Sequence, residues 1–179
     1  MTDFTFHTTE NSSGESRELL AGIQKGYGFV PNLFAYMAEA PIAIKAYMQL
    51  NALLSESSFT PAQLQVALLA SSVENDCGFC TVAHRAMGKK SAAKQQSLDA
   101  LNEGNEIEDP QDRAIVNLVK SLVNNRGWVQ EDEINDFLAA GFTRQQYFEM
   151  LVVVTIKTLS NYTNHVTKPE PNPELLAML

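Results

Sequence analysis

The stretch that decides the fold is Ala67-Leu68-Leu69-Ala70-Ser71-Ser72-Val73-Glu74-Asn75-Asp76-Cys77-Gly78-Phe79-Cys80-Thr81-Val82-Ala83-His84. Its first half reads as helix. Leu64, Ala67, Leu68 and Ser71 recur at helical spacing behind Thr60-Pro61-Ala62-Gln63, which has a capping-box pattern with proline at the first helical position. Asn75-Asp76 reads as a turn and cap. A new helix is expected from about Cys77 to Met87, with Gly88 as its stop. A thioredoxin-like site shares the Cys-x-x-Cys but needs a strand in front of it and a mixed sheet around it. The helical reading of 67–73 argues against that arrangement.

Outward from this segment the punctuation is helical throughout. Leu19, Leu20 and Ile23 mark a helix over 15–26, and Leu33, Phe34 and Met37 a short one. Pro41 opens a third, with Ile42, Ala46, Leu50 and Leu53 on one face. Ser91 is expected to cap a helix reaching Leu101, and Asp109-Pro110 opens one carrying Ile115, Leu118, Val119 and Leu122. Residues 130–140 form a short helix closed by Gly141. A second capping box, Thr143-x-x-Gln146, opens the longest helix, reaching His165. The fold class is all-α, with one domain at 15–167 between a polar segment at 1–14 and a proline-rich arm at 168–179. The arm's apolar end, Leu175 to Leu179, is expected to dock on a neighbouring copy. Trp128 and Tyr147 read as core or interface, and His7 as solvated.

Composition narrows the function classes. The 179 residues are 45% hydrophobic and 19% charged, enough apolar content for a sizeable core. Twenty-one acidic against 13 basic residues give a net charge of -8, which argues against nucleic acid and anionic lipid as partners. Neither a secretory leader nor a run long enough to span a membrane is evident, so a cytoplasmic protein is expected.

The two cysteines, Cys77 and Cys80, are too close to staple a fold. Their value is chemical. An α-helix turns about 100° per residue, so Cys77, Cys80 and His84 at spacings of three and four fall on one stripe. A free thiol, with a pKa of about 8.5, is only a few per cent thiolate at neutral pH. The helix N-terminus and a proton-accepting His84 would both raise that fraction. Asp76 beside Cys77 works against its thiolate. Cys80 is therefore the candidate nucleophile and Cys77 the resolving thiol, with Glu74 as a carboxylate that accepts or relays a proton from His84. A metal site is the rival reading, with His165 or Glu74 completing Cys77, Cys80 and His84, but the second ligand pair of a structural zinc site is missing. Asn161 and His165 share a helix face and read as a satisfied polar cluster.

Cys77-x-x-Cys80-x-x-x-His84 behind Phe59-Thr60-Pro61 resembles the alkylhydroperoxidase D-like (AhpD-like) branch of the carboxymuconolactone decarboxylase-like superfamily. Gly28-Phe29-Val30-Pro31-Asn32-Leu33, Ala40-Pro41, Phe142-Thr143 and Asn161-Tyr162-x-Asn164-His165 are similar to its peroxidase-related members. The resemblance covers about residues 15–170. It implies an AhpD-like helical bundle that assembles as a trimer, dimer or hexamer. It implies a thiol peroxidase acting on organic hydroperoxides or hydrogen peroxide, with Cys80 the peroxide-reactive thiol, Cys77 resolving it and His84 the motif histidine. The reductant would be an external dithiol, thioredoxin-like or lipoylated. No cofactor and no metal are called for. Two positions depart from the pattern: Gln65 stands where better-known members carry glutamate, and Phe79 where they carry histidine. Glu74 is the expected substitute carboxylate. The alternatives are a dithiol–disulfide oxidoreductase or redox sensor without peroxide turnover, and a metal-binding or structural helical oligomer.

Overall fold

In a computed structural model, residues 3–179 are described, and they form ten helices and no strand. These are α1 (Gly14–Tyr27), α2 (Asn32–Met37), α3 (Pro41–Ser55), α4 (Pro61–Glu74), α5 (Gly78–Lys90), α6 (Gln95–Glu103), α7 (Pro110–Asn124), α8 (Glu131–Ala139), α9 (Arg144–Thr167) and α10 (Pro173–Leu176). No helix among the described residues is long and apolar enough to cross a membrane.

The centre is α4. Both halves of its capping box form, Gln63 N–H donating to Thr60 Oγ1 and Thr60 N–H to Gln63 Oε1. From Val66 to Ser72 every residue is buried, because α5, α6, α7 and α9 all pack on this helix. A helix covered on every side needs no amphipathic stripe. Its small residues, Ala67, Ala70, Ser71 and Ser72, let the neighbours approach closely. One apolar cluster joins α4 to α6, α7 and α9 through Leu69, Leu98, Ile115, Leu118 and Met150. A second, on the α1–α3 side, joins Leu20, Leu33, Phe34 and Ile44 to Cys77, Phe79 and Cys80. The cysteines thus sit in apolar packing rather than on the surface.

Three local expectations are corrected. Helix α5 runs through Gly88 to Lys90, and α6 starts at Gln95 rather than Ser91. Gly88 does not end its helix. A Cβ there would lie 2.8 Å from Leu98 Cδ2, so glycine is the residue that lets α6 pass this close. Trp128 is 82% exposed, so of the two places expected for it, core and interface, the structure excludes only the core. The C-terminal arm folds back on its own chain. Asn32 N–H donates to Asn172 Oδ1 at 2.8 Å, Asn172 Nδ2 donates to Val30 O at 3.1 Å, and Asn32 Nδ2 donates to Glu170 O at 2.8 Å. These bonds seat Leu175 in the second cluster, a burial that contributes about 1.5–3 kcal/mol. The chain's own α5 supplies the docking surface that the sequence reading assigned to a neighbour for this residue.

Candidate active site

A short turn places the cysteines. Cys77 N–H donates to Ser72 O at 2.9 Å and Asp76 N–H to Val73 O at 2.9 Å, the two bonds that close a Schellman motif at the end of α4. The motif needs a left-handed residue, and Asp76 supplies it at φ 52°, a region aspartate enters more readily than most side chains. Cys77 follows as the N-cap of α5, with Cys80 in the first turn and His84 one turn on. Cys77 and Cys80 are both free thiols, 3% and 2% exposed.

Opposite them runs α9. After the capping Gln146 its buried stripe is apolar through Met150, Val153 and Ile156, and continues with Lys157, Ser160, Asn161 and Asn164. Asn164 Nδ2 donates to Cys80 Sγ at 3.2 Å and to Cys77 Sγ at 3.6 Å. Ser160 Oγ stands 4.0 Å from Cys80 Sγ. Lys157 is only 1% exposed, and its Nζ lies 2.9 Å from His84 Nε2. His84 Nδ1 is 3.0 Å from Gln65 Oε1 on α4. A lysine ammonium only donates, so Nε2 is the acceptor and the ring proton sits on Nδ1, facing the Gln65 carbonyl.

The charges follow from burial and these contacts. Cys80 is held well below the ordinary thiol range, first by the hydrogen bond from Cys77, then by the charge and N–H of Lys157 and by Ser160, all against the cost of burial. Cys77 is pushed the other way, by giving its proton to that bond, by burial and by the negative charge on Cys80. Burial, and then the charge of Lys157, hold His84 well below the usual imidazole range, so the ring is neutral. Burial and the Cys80 charge also push the Tyr47 hydroxyl up. The asymmetry between the thiols foreseen from Asp76 therefore comes from their pairing; Asp76 itself is exposed.

Two spaces meet at the cysteines. A cavity of about 240 Å³, walled by Tyr27, Phe29, Phe34, Tyr47, Met87 and Leu175, reaches Cys80, His84 and Gln65. An open groove of about 660 Å³ between the start of α5 and the 168–171 strap reaches Cys77 and Asn164. Phe79 lines both, with Cys80 on the cavity side and Cys77 on the groove side.

No family model and no curated protein matches the sequence. Solved structures do. A peroxidase-related protein from Ralstonia eutropha JMP134, an alkylhydroperoxidase AhpD core, superposes with a TM-score of 0.84 at 22% identity over 99% of this chain and 97% of its own. A peroxidase-related protein from Silicibacter sp. TM1040 gives 0.79 at 20% identity over 97% and 95%. The debrominase Bmp8, in complex with 2,3,4-tribromopyrrole, gives 0.78 at 15% identity over 99% and 96%. The chain has the AhpD-like fold.

Within that AhpD-like frame the sequence-derived candidates separate. Cys77, Cys80 and His84 lie along the first turns of α5, and Gln65 of α4 meets His84. Glu74 does not. Its Oε1 accepts from Asn124 Nδ2 of α7 at 2.6 Å, while both ring nitrogens of His84 face Gln65 and Lys157. The reason is rotational. Glu74 ends α4 about 180° around the helix from Gln65, on the α7 side. Asn161 is buried and accepts from Asn75 Nδ2 at 3.1 Å, whereas His165 is exposed at the groove. No three His, Cys, Asp or Glu side chains among the described residues are grouped to hold a metal ion. Lys157, Ser160 and Asn164 are the site residues that sequence reasoning missed. Their signal was the spacing 150, 153, 157, 160, 164, an apolar stripe continued by polar residues.

Proposed function

We propose that this protein is a thiol-dependent peroxidase that reduces organic hydroperoxides or hydrogen peroxide. The observation that carries the reading is a pair of buried thiols held together, Asn164 Nδ2 donating to Cys80 Sγ at 3.2 Å and to Cys77 Sγ at 3.6 Å, with Cys80 at the wall of an apolar cavity. The Cys80 thiolate attacks the terminal peroxide oxygen. An S–O bond forms, the O–O bond breaks, and the departing alkoxide takes a proton to leave as alcohol. Cys80 is then a sulfenic acid. Cys77 attacks that sulfur, its proton leaves with the hydroxyl as water, and a Cys77–Cys80 disulfide remains. An external dithiol, thioredoxin-like or lipoylated, gives up two electrons and two protons to restore both cysteines. The aromatic wall favours a hydroperoxide bearing a compact apolar group.

A homo-oligomer is part of the same proposal. Phe148, Tyr162 and Val166 lie on one face of α9 and are 67%, 58% and 62% exposed, a surface suited to burial against a second copy. Sedimentation equilibrium at micromolar protein reads the mass directly; a monomer there would remove this part.

The deciding assay is a free-thiol count with intact mass, on reduced protein, before and after one equivalent of cumene hydroperoxide. Loss of both thiols within minutes, with a mass decrease of two hydrogens, is expected. Two thiols still titratable after long exposure would overturn the peroxidase reading. A parallel incubation with 2,3,4-tribromopyrrole, the ligand of one structural neighbour, tests whether the aromatic-walled cavity serves a different electrophile.

A further inference from the structure

Lys157 is a buried cation without a carboxylate. It is 1% exposed, and the ion pairs among the described residues all lie elsewhere, at His7–Glu39, Lys45–Glu15, Arg85–Asp99 and Lys94–Asp109. Removing a charge from water costs several kcal/mol unless an opposite charge or a full set of hydrogen bonds replaces the water. His84 Nε2 offers one acceptor, at 2.9 Å, but no charge. Lys157 precedes Ser160 by one turn of α9, and Ser160 Oγ is 4.0 Å from Cys80 Sγ, while its partner His84 follows Cys80 by one turn of α5, so the group at hand that can become an anion is the Cys80 thiol. We propose that Lys157 is a catalytic residue: its ammonium is the counter-ion that holds Cys80 as a thiolate, and His84, aligned by Gln65, fixes that ammonium instead of accepting the Cys80 proton. The proposal rests on the reading that Cys80 is the reacting thiol.

The departure at Gln65 gives the arrangement its logic. A glutamate there would face His84 Nδ1 across the 3.0 Å contact and compete with Cys80 for the positive charge. A neutral amide leaves the thiolate as the only anion in the cluster. The other titratable groups around Cys80 are Cys77 on the same helix, His84 one turn on and Tyr47 from α3; the α9 side chains Ser160 and Asn164 are neutral, with Asn164 donating to the sulfur. None of them supplies a positive charge while His84 is neutral.

Lys157 also closes the proton balance. When the O–O bond breaks, the alkoxide takes its proton from the Lys157 ammonium, leaving an amine. Resolution by Cys77 releases water and no net proton. Reduction of the disulfide by a dithiol then delivers two protons, one to the Cys77 thiol and one to the Lys157 amine, with Cys80 returned as thiolate.

The test is a pH titration of Cys80, by thiolate absorbance near 240 nm and by iodoacetamide alkylation rates with peptide mapping. It compares the reduced wild type with Lys157→Met and His84→Asn. Lys157→Met keeps the length and apolar stem. It should move the Cys80 transition up into the ordinary thiol range. Below a transition the thiolate fraction falls about tenfold per pH, so alkylation at pH 6 should drop at least about tenfold. His84→Asn should move it only part of the way. An unmoved transition in Lys157→Met, or a complete move in His84→Asn alone, would overturn the assignment. Should Lys157→Met not fold, ring-nitrogen NMR of the wild type decides. His84 held in the Nδ1–H tautomer across the Cys80 transition supports the proposal; a ring that gains a proton as Cys80 loses one refutes it. Neither readout uses peroxide. A protein that passes both and consumes no hydroperoxide would keep the lysine assignment and lose the peroxidase reading.

Discussion

Asn164 places its side-chain nitrogen 3.2 Å from Cys80 Sγ, so an amide on α9, 84 positions along the chain, donates to the thiol on α5. A hydrogen bond to a charged acceptor contributes about 1.5–3 kcal/mol. Asn164→Ala is therefore expected to slow Cys80 alkylation by about tenfold or more at pH values below the Cys80 transition. Asn164→Asp, which sets a carboxylate against the thiolate, should slow it further. Rates by stopped flow with intact-mass readout check both. An unchanged rate in both variants would remove Asn164 from the site.

The two cysteines should fail differently. Cys80→Ser is expected to abolish hydroperoxide consumption. Cys77→Ser should leave one round of oxidation, trapped as a sulfenic acid that a dimedone probe labels at Cys80. Labelling at Cys77 in the Cys80→Ser protein, at a comparable rate, would reverse the assignment of nucleophile and resolving thiol.

Carboxylate changes separate Glu74 from Gln65. Glu74 is engaged with Asn124, so Glu74→Gln should leave the reaction with hydroperoxide within about twofold and affect stability by less than about 1 kcal/mol. Gln65→Glu brings a negative charge against His84 Nδ1, which favours the protonated ring. Its His84 signal should titrate at higher pH than in the wild type, read by NMR at the ring carbon protons. A tenfold loss in Glu74→Gln would restore that residue to the relay that the sequence suggested.

Stability should rise with pH up to about 9. Cys80 is depressed in the folded protein from an ordinary 9.0, and His84 from an ordinary 6.5. In each case the unfolded chain binds more protons between the folded and unfolded values, so ΔG of unfolding increases with pH across that window. The Cys80 contribution is present in full above 9.0 and is lost as pH falls through its folded value. The His84 contribution is likewise absent once pH drops below its folded value. Cys77, pushed up by pairing and burial, gives the opposite slope, but only above 9.0. Urea melts of reduced protein at several pH values check the sign. A flat profile would mean that neither buried group titrates on unfolding.

Much of the fold was legible because each helix has strong local punctuation. Thr60 and Thr143 cap their helices as their spacing demands, and Pro41, Pro61 and Pro110 start theirs. Misreadings occurred where a residue serves a neighbour rather than its own helix. Gly88 is there for Leu98, and Leu175 lines a cavity inside its own chain. The site divides in the same way. Cys77, Cys80 and His84 lie on one short helix, and periodicity alone groups them. Gln65 stands out in the sequence only as a departure from a pattern, and its contact with His84 depends on how α4 and α5 cross. Lys157 and Asn164 required the register of α9 against α5, which local spacing does not encode. A lysine within an apolar stripe is nevertheless a readable warning, because burying its charge is costly.

The dithiol faces two spaces, the cavity at Cys80 and the groove at Cys77, and Phe79 lines both. A compound that fills the aromatic-walled cavity would compete with the oxidant at Cys80 yet leave the approach of a reducing thiol to Cys77 open. Initial-rate patterns for such a blocker should therefore be competitive in one reactant and not in the other. High concentrations of the reductant should not suppress turnover by occupying the oxidant's place. Each half-reaction could then be retuned by changing residues on one side of a single phenyl ring.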